Sequence, residues 1–208
     1  MKTSIIRLNA FVLVVFSVFT SQFAFAAESA KPADSIHSKE VKPDLMIKGK
    51  KILVVFFSHS GNTREIARQI HEIVGGDIVE IKTVKPYTKD FDALVEQAGQ
   101  ELKSGYKPPI TTKINNIKAY DMVFIGYPSW WATYPAPVKT FLNENKFRGK
   151  SIAPFCTHEG SALGNSIMDI KAMCPRAKIL EGFEVRGGEV KSANKKVADW
   201  LRKIGIIK

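Results

Sequence analysis

A chain of 208 residues with 45% apolar and 25% charged residues is long enough to fill one hydrophobic core, and disorder throughout is excluded. Its formal charge is +11; Lys2 and Arg7 are the only charges in residues 1–26, so a chain without that stretch would carry +9. Either form is basic.

Residues 1–26 read as a cleaved signal peptide. Lys2 and Arg7 make a positive start, residues 10–19 are apolar but for Ser17, and Ala24-Phe25-Ala26 sets small residues about a cut after Ala26. The apolar stretch is shorter than the roughly 20 residues a spanning helix needs, so an uncleaved anchor is the weaker reading. No cysteine stands near the cut and no arginine pair precedes the apolar stretch. The expected location is the periplasm, with no stable membrane insertion after cleavage, and a tight cofactor would be acquired there. Residues 27–49 carry charges, Pro32 and Pro43 with little apolar periodicity and read as a flexible tether, which leaves residues 50–208 as one domain.

Within that domain residues 52–57 form an apolar run of strand length, and residues 62–74 place Ile66, Ala67, Ile70, Ile73 and Val74 on one helical face. Residues 77–81, entered through Gly75-Gly76, predict a second strand and residues 122–127 a third, both read as buried on two faces. Between them residues 90–103 space Phe91, Leu94, Val95, Ala98 and Leu102 as a helix, which Lys107-Pro108-Pro109 ends. A helix over 137–145, a strand over 151–156, a helix over 162–174 stopped by Pro175 and a strand over 178–185 follow. The last helix, 192–204, turns Val197, Trp200, Leu201 and Ile204 inward. Five strands alternating with helices predict an α/β fold, a parallel sheet with helices on both faces.

Ligands of such sheets gather beyond the carboxyl ends of the strands, where strand order reverses. Residues 58–63, 128–134 and 157–164 are the loops predicted there. In the first, Gly61 lets the backbone turn closely, helix-start amides point outward, and Ser58, Ser60, Asn62 and Thr63 add donors, which makes an anion cradle. It lacks the Gly-Lys-Ser/Thr ending of a triphosphate loop and the cysteine of a phosphatase loop, so a bound phosphate monoester fits best. The plainer reading is a capped helix start. In the second loop Tyr127-Pro128-Ser129-Trp130-Trp131 offers aromatic faces to a planar ligand, against the plainer reading that one tryptophan fills the core.

Ser58-His59-Ser60-Gly61-Asn62-Thr63 resembles the phosphate loop of flavodoxins. Gly126-Tyr127-Pro128-Ser129-Trp130-Trp131 and Phe155-Cys156-Thr157-His158-Glu159-Gly160-Ser161 resemble segments of a bacterial flavodoxin-like branch, and the likeness runs from Lys51 to the end of the chain. The resemblance implies a five-stranded parallel sheet in the order 2-1-3-4-5 and a noncovalent site for flavin mononucleotide, FMN. It implies that Ser58, His59, Ser60, Gly61, Asn62 and Thr63 form the phosphate loop and that Pro128, Ser129, Trp130 and Trp131 line the ring. Thr157, His158, Glu159 and Gly160 would form the far wall. Where many flavodoxins place an aromatic in that last loop this chain has His158, which would donate to the flavin or cap its edge.

The implied function is an exported electron carrier without a substrate site of its own. A flavin enzyme reducing quinone-type acceptors with NAD(P)H, and a flavin-free binding module, are the alternatives. The basic balance, unlike the usual acidic flavodoxin, predicts a less strongly reducing flavin and suits an acidic redox partner or anionic lipid. No basic motif interleaved with aromatics points to nucleic acid. Cys156 is predicted at the ligand end of its strand and Cys174 at the far end of the following helix, so both thiols are expected free. His158-Glu159 alone makes a weak metal site.

Overall fold

The structure, a computed structural model, describes residues 44–208. The predicted signal peptide and most of the predicted tether, residues 27–43, lie outside the described residues.

β1 (Ile52–Phe56), β2 (Asp77–Glu80), β3 (Met122–Pro128) and β4 (Ser151–His158) pair in parallel in the order β2-β1-β3-β4. Two short strands, β5 (Lys178–Ile179) and β6 (Phe183–Arg186), pair in parallel with the same edge of β4 at successive levels. They are one interrupted fifth strand, and the sheet has the order 2-1-3-4-5. The continuous strand predicted over 178–185 is therefore corrected: residues 180–182 leave the ladder between its two halves.

The alternation of side chains along each strand divides the core. Val54, Phe56 and Phe124 face α1 (Asn62–Val74) and α5 (Asn194–Lys203), while Leu53, Val55 and Ile125 face α3 (Ala136–Glu144) and α4 (Ser166–Met173). Central β1, β3 and β4 are buried almost throughout. β2 is an edge strand with β1 on one side only, and its residues are exposed or half-buried, which corrects the two-faced burial predicted for it. α4 starts at Ser166 rather than 162, because residues 162–165 turn through a left-handed Ala162 and Gly164.

α2 (Phe91–Ser104) is capped by Asp90, whose carboxylate accepts the Ala93 N–H at 2.9 Å. Of its predicted inward residues only Leu94 and Ala98 are buried; Phe91 is 74% exposed, and Val95 and Leu102 are exposed too. The helix instead turns Glu101 inward, where the carboxylate accepts from the Tyr87 hydroxyl at 2.6 Å and from Gln97 at 2.8 Å.

Residues 44–49, assigned to the tether by composition, pack on the domain. Leu45 bridges Ile207 in antiparallel fashion, Met46 N–H donates to Ile206 O at 2.8 Å, and Lys208 Nζ lies 2.7 Å from Asp44. Lys208 and Lys48 hold the Asp44 carboxyl down to about 2.

Candidate functional site

Strands β1, β3 and β4 all end at one edge of the sheet, and their parallel register brings the three predicted loops side by side. Phe57 N–H still donates to Gly126 O, so the chain leaves the sheet at Ser58. Gly61, at φ 99°, makes the turn into α1 in the left-handed region that side chains disfavour.

The cradle is present and its donors are loosely held. Ser58 Oγ accepts the Gly61 N–H at 3.2 Å and the Arg64 N–H at 3.3 Å, and the Asn62 N–H reaches Ser60 Oγ at 3.5 Å. Amide hydrogen bonds favour about 2.9–3.0 Å, so a small anion would engage these donors better than the hydroxyls do. They sit at the positive end of a 13-residue helix. The residues thus fit a phosphate group.

The second loop separates its two tryptophans. Trp130 and Thr133 exchange backbone hydrogen bonds, and Trp131 and Ala132 occupy the middle of that turn at φ 52° and 57°. Two successive non-glycine residues with positive φ make a type I′ turn without the glycine or asparagine it favours, a cost of about 1–2 kcal/mol per residue. Trp130 points back toward the first loop and meets Phe57, His59 and Tyr87 edge to face, with centroids 5.6, 5.9 and 5.2 Å away. Trp131, 57% exposed, lies across Gly99 of α2 and donates its Nε1–H to Val95 O at 3.0 Å. His59 is tied through Nε2 to Thr88 O at 2.8 Å, so Trp130 and His59 form one wall between the first two loops.

The third loop is stitched to both others. Thr63 Oγ1 and Thr157 Oγ1 are 2.8 Å apart, and both residues are buried. Ser129 N–H donates to Thr157 O at 2.8 Å, while Ser161 Oγ donates to Ser129 Oγ at 2.7 Å. Asn62 Nδ2 and Glu159 Oε1 converge on Gly187, 2.5 and 2.2 Å from where a Cβ would stand. The segment after β6 therefore closes the site beside the cradle, a contribution with no local sequence signal.

His158 does not face this space. It is 8% exposed, and its ring nitrogens are taken by Gly160 N–H and the Glu184 carboxylate. This corrects the expectation that it would donate to a ligand or cap one. Cys156 is buried behind the loop; burial pushes its thiol up to about 12 and that of Cys174 up to about 11, and both are free as predicted.

Comparison with known proteins bears on the family and the fold. The sequence profile of the flavodoxin family matches residues 51–204. A protein from Bacteroides eggerthii described as a flavoprotein candidate is 34% identical, with 76% of this chain and 99% of that one aligned at a TM-score of 0.68. A second such protein, from Bacteroides uniformis, is 29% identical over 74% and 99% of the two chains, at 0.67. A Lactobacillus acidophilus flavoprotein solved in complex with FMN shares the fold at 22% identity over 72% and 99%, at 0.58. No curated protein matches the chain. Strand order, the three stitched loops and the profile match lead to one assignment: the chain belongs to the flavodoxin family.

Proposed function

We infer that the protein binds FMN noncovalently at this edge and carries electrons between partners outside the cytoplasm. The observation that supports it best is the set of loosely held amides of Gly61, Asn62 and Arg64, placed beside the Trp130–His59 wall. Ser58, Ser60, Gly61, Asn62 and Thr63 hold the phosphate. Pro128, Ser129 and Trp130 line the ring, with Trp131 behind them on α2, and Thr157, Glu159 and Gly160 close the far side. Bound flavin supplies one- and two-electron transfer. The protein orients the ring, keeps water from one face through the half-buried aromatic cluster of Trp130, His59 and Tyr87 over buried Phe57, and favours negative charge through its basic excess. Export rests on residues 1–26, and an acidic redox partner on the basic charge that remains without them, +11 less Lys2 and Arg7, or +9. Titrating the protein into FMN in phosphate-free buffer tests the reading: saturable one-to-one quenching of flavin fluorescence supports it, and an unquenched, colourless protein refutes it.

One feature favours a second reading, an FMN-dependent oxidoreductase. A cavity of about 260 Å³ opens between α2, α3 and α4 on the far side of Trp130, walled by Leu102, Tyr134, Lys139, Asp169 and Met173, with room for a small acceptor. Sustained NAD(P)H oxidation with a quinone would favour this enzyme over the carrier.

A further inference from the structure

The cavity between α2, α3 and α4 holds polar groups of its own, and two of them are idle. Tyr134 lines it and is 7% exposed, and its hydroxyl has no hydrogen-bond partner among the described residues. Among those residues the side-chain atom sealed from solvent without a partner is Gln69 Oε1, so the Tyr134 hydroxyl reaches open space, and the open space beside it is the cavity. Burial pushes this hydroxyl's pKa up and Asp169 acts in the same sense, so it stays protonated and donates. Lys139 of α3 also lines the cavity. Its Nζ stands 3.4 Å from where a Cβ of Gly105 would be, at the end of α2, and has no carboxylate or hydrogen-bond partner among the described residues. The acceptors, in contrast, are in use: Glu101 takes the Tyr87 and Gln97 donors, and Asp169 takes the Thr133 hydroxyl.

We propose that this cavity is a second ligand site, built for an uncharged aromatic carbonyl compound of one ring, whose oxygen accepts from the Tyr134 hydroxyl with the Lys139 ammonium beside it. Two idle donors call for an acceptor on the ligand. A carboxylate there would bring a third negative charge beside Glu101 and Asp169, with Lys139 alone to offset it. An ammonium would meet Lys139 and leave both donors idle. The oxygen is therefore that of a neutral carbonyl. Trp130, Leu102 and Met173 give the apolar walls that suit a flat ring. An apolar cavity of roughly 150 Å³ takes one benzene ring, so the cavity of about 260 Å³ has room for one ring with its substituents. The ligand class stands on the cavity's own side chains; only a redox use of such a ligand rests on the flavin reading above, through Trp130, which the cavity shares with the loops.

Acetophenone, benzoate, benzylamine and ethylbenzene share one ring and differ in what it carries, so they test the class directly. Titrated into the protein without FMN at neutral pH and followed through the Met173 methyl resonance, acetophenone should bind saturably and about tenfold tighter than benzoate or benzylamine, whose charges the cavity does not balance. Tyr134→Phe keeps the ring against Tyr127 and removes the hydroxyl. It should weaken acetophenone about tenfold, the factor carried by one hydrogen bond, and leave ethylbenzene unchanged. Lys139→Met keeps the stem and should act in the same direction on acetophenone alone. Benzoate or benzylamine binding as tightly as acetophenone overturns the class, equal weakening of acetophenone and ethylbenzene by Tyr134→Phe overturns the part given to the hydroxyl, and no saturable shift with acetophenone removes the site. FMN quenching measured on the same protein separates the two readings. A protein that binds FMN and not acetophenone loses this site and keeps its cofactor; one that binds acetophenone and not FMN keeps the site and loses the cofactor.

Discussion

Thr63 and Thr157 hold each other's hydroxyls at 2.8 Å, and through that bond the first turn of α1 is joined to the end of β4. Valine at position 63 keeps the shape and strands the Thr157 hydroxyl in a buried place. The loss should be about 1–3 kcal/mol in urea unfolding, with FMN affinity down about tenfold. The double variant Thr63→Val/Thr157→Val should cost less than the sum of the two singles, as a double-mutant cycle would report.

Trp131 should respond to changes beneath it. A Cβ at Gly99 would stand 3.1 Å from the indole ring. Gly99→Ala gains about 1 kcal/mol of helix propensity and needs only a small shift of an exposed ring, so net stabilisation is expected. Gly99→Val should push the ring off α2, break its bond to Val95 O and shift tryptophan fluorescence to the red.

Tyr87→Phe keeps the aromatic contact with Trp130 and removes one of the two donors to buried Glu101. Chemical unfolding should show a loss of about 1–3 kcal/mol. Glu101→Gln, which leaves no charge to satisfy, should soften that loss when combined with it.

The thiols should be silent in the native protein. Burial raises Cys156 to about 12 and Cys174 to about 11, so the reactive thiolate is scarce at neutral pH. A chromogenic disulfide reagent should find neither thiol at pH ~8 until denaturant is added, and then both.

Asp44 ties the amino-terminal strap to the last residue. Its carboxyl is lowered from 3.8 to about 2 by Lys208 and Lys48, so its contribution is present above the unfolded value and is lost as pH falls from about 4 to about 2. The pair is exposed, which makes the effect small and sensitive to salt. Asp44→Asn should speed hydrogen exchange at Met46 and Lys208 at neutral pH and low salt, with the difference fading at high salt.

Much of this arrangement is legible in the sequence where the signal is local. α1 runs over 62–74 as its apolar period and glycine entry predict, and the three loops stand together because parallel strands end on one side. What escapes is set by distant partners. The apolar residues of β2 read alike at a sheet's edge or centre, and only its single neighbour exposes them. Glu101 turns inward for the Tyr87 hydroxyl, Leu45 finds Ile207, and His158 is claimed by Glu184 on another strand. None of these pairings leaves a period or a turn signal nearby.

The strap formed by Asp44 to Ile47 lies near the amino ends of the strands, close to Ile52, Val74 and Asp77. The loops lie beyond the other ends, a strand's length away, or about 20 Å for the seven residues of β3. A protein fastened ahead of Asp44, to an electrode or to a solid support, would thus turn its three loops toward the bulk solution. Surface voltammetry in that orientation would read the site with its face uncovered, whereas attachment through a residue of α2 would turn Trp131 toward the support.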